Sequence, residues 1–369
     1  MNALSAALGI FLIAFVLWDA FETILLPRRI PSGLRLSRLV LWGLWGAWLA
    51  IARRIRTRNR RENFLGLYAL LSLIGLLVVW ASGLIVGFAT LHWACGSRLA
   101  TAAGPIGFRT DLYMSGTTLF TLGLGDVSPT SALSRFITVL EAGTGFGFLA
   151  LVLAYVPVLY QAFSRREART TMLDEWAGSP PTSAVLLRRC FESRTPGVAL
   201  DTLLRDWEVA AAEILESQLS YPILAFYRSQ HDNQSWLASL SAILDACALV
   251  IVGVDGIDSF QARLTFAICR HTLVDVSQNV RRGARPPEYA SENPAEIVEL
   301  RRWLAQADVR VADGAEADRK LVELRALYVP YAQVLSRLLL MPLPGWLPPA
   351  KARYNWETTA WARTGDEAH

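Results

Sequence analysis

The N-terminal half of the chain contains three apolar stretches that are long enough to cross a lipid bilayer. Residues 63–97 contain no Asp, Glu, Lys or Arg, and they exceed the roughly 20 residues that span the hydrocarbon core. Residues 136–163 carry a single charge, on Glu141. Residues 3–26 form the third stretch. The pattern therefore predicts three transmembrane helices in a multi-pass membrane protein.

Two segments near the N-terminus mix apolar and polar character. Asp19 and Glu22 lie close to the end of the first apolar stretch, one helical turn apart on a shared face. We expect both carboxylates to face partner helices or to reach the membrane interface. Residues 39–52 are apolar and rich in Trp but are too short to cross the bilayer comfortably. This segment is typical of a helix that lies in the interface.

The arginines predict how the helices are oriented. Residues 27–62 contain ten Arg against one acid, Glu62, and residues 165–169 contain three more Arg. Because basic loops stay on the cytoplasmic side, both segments are expected there. Residues 98–135 then face outside and can dip into the membrane without crossing it. We expect the C-terminus to be cytoplasmic and the protein to lie in the plasma (inner) membrane.

Composition excludes several classes of function. The net charge of +4 is small for a nucleic-acid-binding protein, so no nucleic-acid partner is predicted. The four Cys are scattered without paired spacing, which argues against a disulfide framework. No nucleophile and base arrangement and no cluster of metal ligands is evident, so neither an enzyme nor a cofactor is expected. The hydrophobic content of 53% favours a membrane protein with lipid as its surroundings.

The C-terminal half returns to a composition typical of soluble domains and to helical periodicity. Residues 198–219 place Leu, Trp and Ile on one face, and residues 257–278 are predicted to bury a face that includes Phe260, Leu264 and His271. Residues 236–254 are nearly all apolar. A buried helix is favoured for them, with a membrane segment as the alternative. The pattern predicts an all-helical cytoplasmic domain, without the glycine motif of a nucleotide-binding fold.

The segment between the second and third apolar stretches carries the candidate chemistry. Residues 108–121 have the pattern of a short helix, and they lead into Thr-Leu-Gly-Leu-Gly-Asp at residues 121–126. This string resembles the selectivity filter of the potassium channel pore family, usually Thr-Val-Gly-Tyr-Gly-Asp, over roughly residues 64–163. Leu122 stands where Val is usual, and Leu124 stands where Tyr is usual.

The resemblance implies a fold and a set of site residues. The fold is an outer helix, a re-entrant pore helix with a filter loop, and an inner helix, arranged four times around one axis. The implied K⁺ ligands are carbonyl oxygens of four consecutive residues, with the Thr hydroxyl at the innermost site. Glycines allow the left-handed conformations that such a ladder needs. The filter residues are Thr121, Leu122, Gly123, Leu124 and Gly125, and Thr118 and Asp126 are expected to support them.

The third apolar stretch is predicted to line the cavity below the filter. Gly143 and Gly145 suggest bending or close packing, and Pro157 suggests a kink and a gate near residues 155–160. Glu141 is expected either to brace the filter by hydrogen bonds or to face the cavity and attract cations. These four residues complete the set of candidate positions.

These observations predict an all-α membrane protein in three parts. Residues 1–62 form an N-terminal transmembrane helix and an interfacial helix, residues 63–163 form the pore domain, and residues 164–369 form the helical cytoplasmic domain. The predicted function is passive K⁺ conduction through a homotetramer, with gating modulated by the cytoplasmic domain. The alternatives are a non-selective cation channel and a membrane-anchored scaffold that keeps a non-conducting, pore-like loop.

Overall fold

The computed structural model describes residues 2–24, 35–101, 105–231, 233–280 and 293–350, together with Tyr289. These residues form twelve α-helices, a short 3₁₀ helix (Pro222–Phe226) and one two-stranded sheet. The helices of the N-terminal half are α1 (Ala3–Ile24), α2 (Leu36–Ala52), α3 (Arg58–Ala94), α4 (Phe108–Leu119) and α5 (Ala132–Ala177), and the strands are β1 (Leu99–Thr101) and β2 (Val127–Pro129). The remaining helices are α6 (Ser183–Phe191), α7 (Pro196–Ser220), α8 (Trp236–Gly253), α9 (Phe260–Val280), α10 (Pro294–Ala305), α11 (Ala315–Ala326) and α12 (Val329–Leu339).

The chain divides into two compact units, Met1–Tyr160 and Gln161–His369. In the first unit, α1 packs along α3. The two backbones come close because small residues face each other: a Cβ added to Gly9 would lie 2.8 Å from the carbonyl oxygen of Gly87. Close approach through small residues is a usual way for membrane helices to associate. The apolar core between these helices includes Val16, Trp80 and Leu84.

The acidic residues of α1 face partner elements, which was one of the two expectations for them. The carboxylate of Asp19 is buried and accepts hydrogen bonds from Trp80 Nε1 on α3 (2.8 Å) and from the backbone N–H of Ser37 at the start of α2 (3.0 Å). Glu22 is also buried and forms an ion pair with Arg35 (3.3 Å). The two acids therefore fix α1 to the elements beside it.

The short apolar segment at 39–52 is helical, as predicted, and lies within α2. It is held against α3 by Trp48, whose Nε1 donates to the carbonyl of Phe64 (3.0 Å), and by Tyr68, whose hydroxyl donates to the carbonyl of Leu41. Its placement in the membrane interface stays a prediction. Residues 25–34, which carry part of the predicted arginine cluster, lie outside the described residues.

The sheet was not predicted. The strands β1 and β2 pair antiparallel, with Leu99 opposite Pro129 and Thr101 opposite Val127. They stand on either side of α4 in the sequence, so their pairing closes the loop that carries the helix. Three-residue strands leave almost no alternating pattern, and the pairing is therefore visible only in three dimensions.

Helix α5 is continuous through Pro157 and ends at Ala177, fourteen residues beyond the end of the predicted membrane span at 163. Tyr155 and Leu159 on this helix are buried. After Ala177, residues 178–181 form a turn. The predicted membrane span at 136–163 and residues 164–177 after it therefore belong to one uninterrupted helix.

In the second unit, α8 lies in the middle of a helical cluster and contacts α6, α9, α11 and α12. These neighbours cover most of its apolar surface, because 83% of its 18 residues are buried. This agrees with the buried helix favoured for residues 236–254. Helix α7 buries the predicted face, which includes Leu200, Trp207 and Ile214.

The predicted face of α9 was wrong. Phe260, Leu264 and His271 are exposed, and His271 pairs with Asp275 on the same helix (3.5 Å). The buried face instead includes two threonines, Thr265 and Thr272. Their hydroxyls donate to the backbone carbonyls of Leu204 (2.9 Å) and Ala211 (3.0 Å) on α7. Because these bonds satisfy the hydroxyls, polar positions that looked solvent-facing could be buried.

Candidate ion-conduction site

The predicted filter begins almost directly after the short helix α4. After its last residue, Leu119, two backbone hydrogen bonds continue the turn: Thr121 N–H donates to Thr118 O (3.0 Å) and Leu122 N–H to Thr117 O (2.8 Å). The main-chain carbonyl of Thr118 therefore contacts the backbone of the predicted filter segment, and its supporting role stays a prediction. The C-terminal end of a helix carries partial negative charge, which favours a cation nearby.

The backbone from Thr121 to Gly125 alternates in handedness. Positive φ angles occur at Thr121 (54°), Gly123 (59°) and Gly125 (76°), whereas Leu122 and Leu124 between them are not in that region. Alternation of this kind turns successive peptide units the same way, so that their carbonyls can share one side. The two glycines occupy the left-handed positions predicted for them.

Thr121 is also left-handed, which the sequence did not indicate. A β-branched residue at positive φ is a true conformational outlier. Such conformations cost about 1 to 3 kcal/mol and concentrate at functional sites. The strain at Thr121 therefore points to a backbone shaped for binding.

The filter segment is exposed within a single chain. Residues 121–126 are all exposed, and Leu122 and Leu124 each expose 61% of their surface. An exposed, strained, glycine-containing strand is unusual for an ordinary turn between two helices. The arrangement leaves its carbonyls and side chains available to ions and to neighbouring molecules.

Asp126, the predicted support residue at the end of the filter, is tied to α4. Its carboxylate accepts a hydrogen bond from the Tyr113 hydroxyl (2.8 Å) and another from the backbone N–H of Val127 (3.1 Å). Sequence analysis missed Tyr113. Leu124 has no hydroxyl, and Tyr113 places an aromatic hydroxyl on α4 beside this segment instead. The sequence feature that could have identified Tyr113 is a polar aromatic residue on a short amphipathic helix.

Glu141 lies behind the pore helix and is fully buried. Its Oε1 accepts a hydrogen bond from the Ser115 hydroxyl on α4, and its Oε2 lies 3.6 Å from His92 Nε2 at the end of α3. Of the two predicted roles, the contacts favour the brace, although the partner is the pore helix and not the filter strand. Ser115 and His92 were not among the predicted site residues.

The glycines of α5 differ in their surroundings. A Cβ added to Gly145 would lie only 2.1 Å from the carbonyl oxygen of Leu119, the last residue of α4, whereas a Cβ at Gly143 would meet nothing within 4 Å. Gly145 therefore lets the inner helix touch the end of the pore helix. Gly143 has open space within the chain, and a hinge there or at Pro157 stays a prediction.

Comparison with known proteins agrees with this geometry. Residues 74–161 match a family model described as "Ion channel", and this range covers the end of α3, the pore helix, the filter segment and the first part of α5. A search of curated proteins and a search of solved structures each gave no significant match. The matched range includes every predicted filter, support and hinge residue. Residues 74–161 are therefore an ion channel domain, which lies in a chain with the long apolar helices of a multi-pass membrane protein.

Proposed function

We propose that the protein is a potassium channel subunit and that four copies form the pore. The observation that carries this proposal is the alternating backbone of residues 121–125, with positive φ at Thr121, Gly123 and Gly125. A dehydrated K⁺ ion needs a ladder of carbonyl oxygens to replace its water shell. Alternating peptide units supply carbonyls of Thr121, Leu122, Gly123 and Leu124 to such a ladder, and the Thr121 hydroxyl extends it inward.

Four copies are proposed because one chain supplies too few carbonyl oxygens to surround a K⁺ ion. One chain contributes a single strand, and its filter residues are exposed when the chain is alone. Each K⁺ site in a carbonyl filter needs a ring of ligands from four strands. A homotetramer completes the rings, brings four α4 C-termini toward the axis and covers part of the apolar surface of α3 and α5.

A non-selective cation channel is the second candidate, and Leu124 is the observation that favours it. A Leu side chain cannot donate a hydrogen bond behind the filter. One interaction that would fix the diameter of the carbonyl rings is therefore missing. The bond from Tyr113 to Asp126 (2.8 Å) opposes this by fixing the outer end of the filter to α4. We favour K⁺ selectivity because this brace acts on the same strand.

Gating by the C-terminal half is proposed from the continuity of α5. The segment of this helix that lies in the second unit is fixed there by Arg166, whose guanidinium donates to the carbonyls of Leu224 (2.7 Å) and Tyr227 (2.8 Å). A movement of that region would act on the helix that lines the pore. We place the second unit in the cytoplasm and the pore in the plasma membrane, as the distribution of Arg predicts.

The test is the reversal potential of the purified protein in a planar bilayer with K⁺ on one side and Na⁺ on the other. We expect a large shift toward the K⁺ equilibrium potential that is lost in Gly123→Asp. A reversal potential near zero would support the non-selective candidate. Absence of current, in a preparation shown to be tetrameric and inserted, would support the scaffold.

A matched control comes from a glycine outside the pore. Gly125 and Gly256 both have φ of 76°, and a Cβ at either would meet no atom within 4 Å. Alanine at either site therefore introduces the same backbone strain. We expect Gly125→Ala to change the ratio of K⁺ to Na⁺ permeability and Gly256→Ala to leave it unchanged.

A further inference from the structure

A buried group of ionisable side chains lies behind the pore helix. His92 on α3, Asp111 on α4 and Glu141 on α5 are each 1% exposed or less. His92 Nε2 is 3.6 Å from Glu141 Oε2, and His92 also interacts electrostatically with Asp111. Three helices of the pore domain therefore meet at one histidine. We call His92, Asp111 and Glu141 the buried triad.

The hydroxyl groups around the triad satisfy only part of it. Ser134 Oγ lies 3.3 Å from His92 Nδ1, Ser115 donates to Glu141 Oε1, and Ser97 donates to Asp111 Oδ2 (2.6 Å). Within the described part of the chain, three other atoms of the triad have no hydrogen-bond partner. They are His92 Nε2, Glu141 Oε2 and Asp111 Oδ1.

The protonation state of the buried triad decides whether His92 Nε2 and Glu141 Oε2 attract each other. With His92 neutral and both acids ionised, the triad holds two negative charges in a buried site, which is costly. One added proton, held between His92 Nε2 and Glu141 Oε2, gives a pair that is neutral overall and can close the gap between these atoms, and both side chains are needed to hold it.

The triad is linked mechanically to the filter through α4. Asp111 and Ser115 are four residues apart and so lie on one face of this helix. Ser115 Oγ also lies 2.9 Å from the carbonyl oxygen of Ile85 on α3, and the C-terminal end of α4 continues directly into the candidate filter at Thr121. A change in the contact between His92 and Glu141 therefore acts on the helix that sets the filter position.

We propose that His92 and Glu141 are positioning residues that make conduction depend on pH on the side of the membrane where residues 105–131 lie. Proton uptake holds α3, α4 and α5 together and favours the conducting filter, and proton loss favours a non-conducting one. The inference rests on the proposed channel function. Among the described residues, the charged groups that act on His92 from neighbouring helices are Asp111 and Glu141. Asn2, which precedes α1, donates its backbone N–H to Ala94 O at this end of α3 (3.1 Å).

The test uses full-length protein in planar bilayers, with the pH varied separately on each side. We expect the K⁺ current to fall about fivefold between about pH 5 and pH 8 on the loop side, a coupling of the size usual between linked sites. In His92→Gln, which keeps hydrogen-bonding capacity but does not titrate, the current should no longer vary with pH. Glu141→Gln should have the same effect, and if that variant fails to assemble, His92→Gln carries the test.

His271→Gln is the matched control, because His271 is exposed on α9 and pairs with Asp275. It should keep the full pH dependence. The inference is overturned if the wild-type current is independent of pH or rises with pH, or if His92→Gln retains the wild-type pH profile. Failure of the channel proposal is distinguishable, because it would abolish the K⁺-selective reversal potential at every pH, whereas failure of this inference leaves that potential unchanged.

Discussion

Helices α3 and α8 are almost equally apolar but have very different surroundings. Within the most apolar part of each helix, 39% of the residues are buried in α3 and 83% in α8. The corresponding figures for α1 and α5 are 22% and 17%. The first unit leaves apolar helices uncovered, which suits lipid and neighbouring subunits, whereas the second unit covers its own. Hydropathy thus reports the composition of a helix and not what covers it.

Each unit contains a buried aspartate on an apolar helix, and the two are satisfied differently. Asp19 on α1 accepts hydrogen bonds from a Trp side chain and from a helix N-terminus. Asp245 on α8 accepts a hydrogen bond from the Tyr328 hydroxyl and forms an ion pair with Arg325 (3.4 Å). In both places a buried acid is retained because partners from other elements converge on it.

The largest expected effect comes from placing a charge on each apolar helix. Ala246 on α8 is fully buried, and Val78 on α3 is exposed. Ala246→Arg buries an unpaired charge and should destabilise the second unit by more than about 4 kcal/mol. Val78→Arg should leave the second unit folded and lower membrane insertion by about 3 kcal/mol. Thermal unfolding and the membrane-integrated fraction measure the two effects.

The contrast between α3 and α8 would be contradicted if Ala246→Arg and Val78→Arg had the same effect. A loss of membrane insertion in Ala246→Arg, with the second unit still folded, would mean that α8 enters the membrane. Leu substitutions at the same two positions serve as controls for side-chain size.

The next effect concerns the contact between the inner and pore helices. Gly145→Ala forces a methyl group against the Leu119 carbonyl, where the unrelaxed separation is 2.1 Å. Overpacking of this kind costs up to about 3 kcal/mol and should displace α4, so that K⁺ current is lost. Gly143→Ala adds the same methyl group in open space and improves helix propensity. Equal currents in the two variants would contradict the close contact, and single-channel recording measures them.

The smallest effect concerns the buried acid of the second unit. Tyr328→Phe removes the donor to Asp245 and should lower the free energy of unfolding by about 2 kcal/mol, measured by denaturant titration. Burial and the Asp245 carboxylate raise the pKa of the Tyr328 hydroxyl well above its usual value. The unfolded chain therefore loses this proton first as pH rises past about 10, so the stabilisation is complete below that pH and declines above it.

In Tyr328→Phe the alkaline decline should be smaller than in the wild type. Tyr113→Phe on α4 is the comparison variant, because its hydroxyl bonds the exposed end of the filter and not the core of the second unit. An unchanged alkaline slope in Tyr328→Phe would show that another group is responsible.

Sequence analysis located the elements better than it located their contacts. The apolar stretches predicted α1, α3, α5 and the buried α8, and the Thr-x-Gly-x-Gly-Asp string predicted the positive φ of Gly123 and Gly125. It missed Tyr113, His92 and Ser115, because each acts through a partner distant in sequence. It also assigned the wrong face of α9, since Thr265 and Thr272 are buried against carbonyls that periodicity cannot reveal.

The sequence by itself determined which segments are apolar, where the glycine-containing candidate filter lies and which chain segments flank it. These properties are local, because bilayer-spanning length and left-handed backbone depend on neighbouring residues. Only the tertiary structure decided that α8 is covered by protein, that Gly145 touches the end of the pore helix and that His92 faces Glu141. Such contacts join residues far apart in the chain, and packing between helices alone determines them.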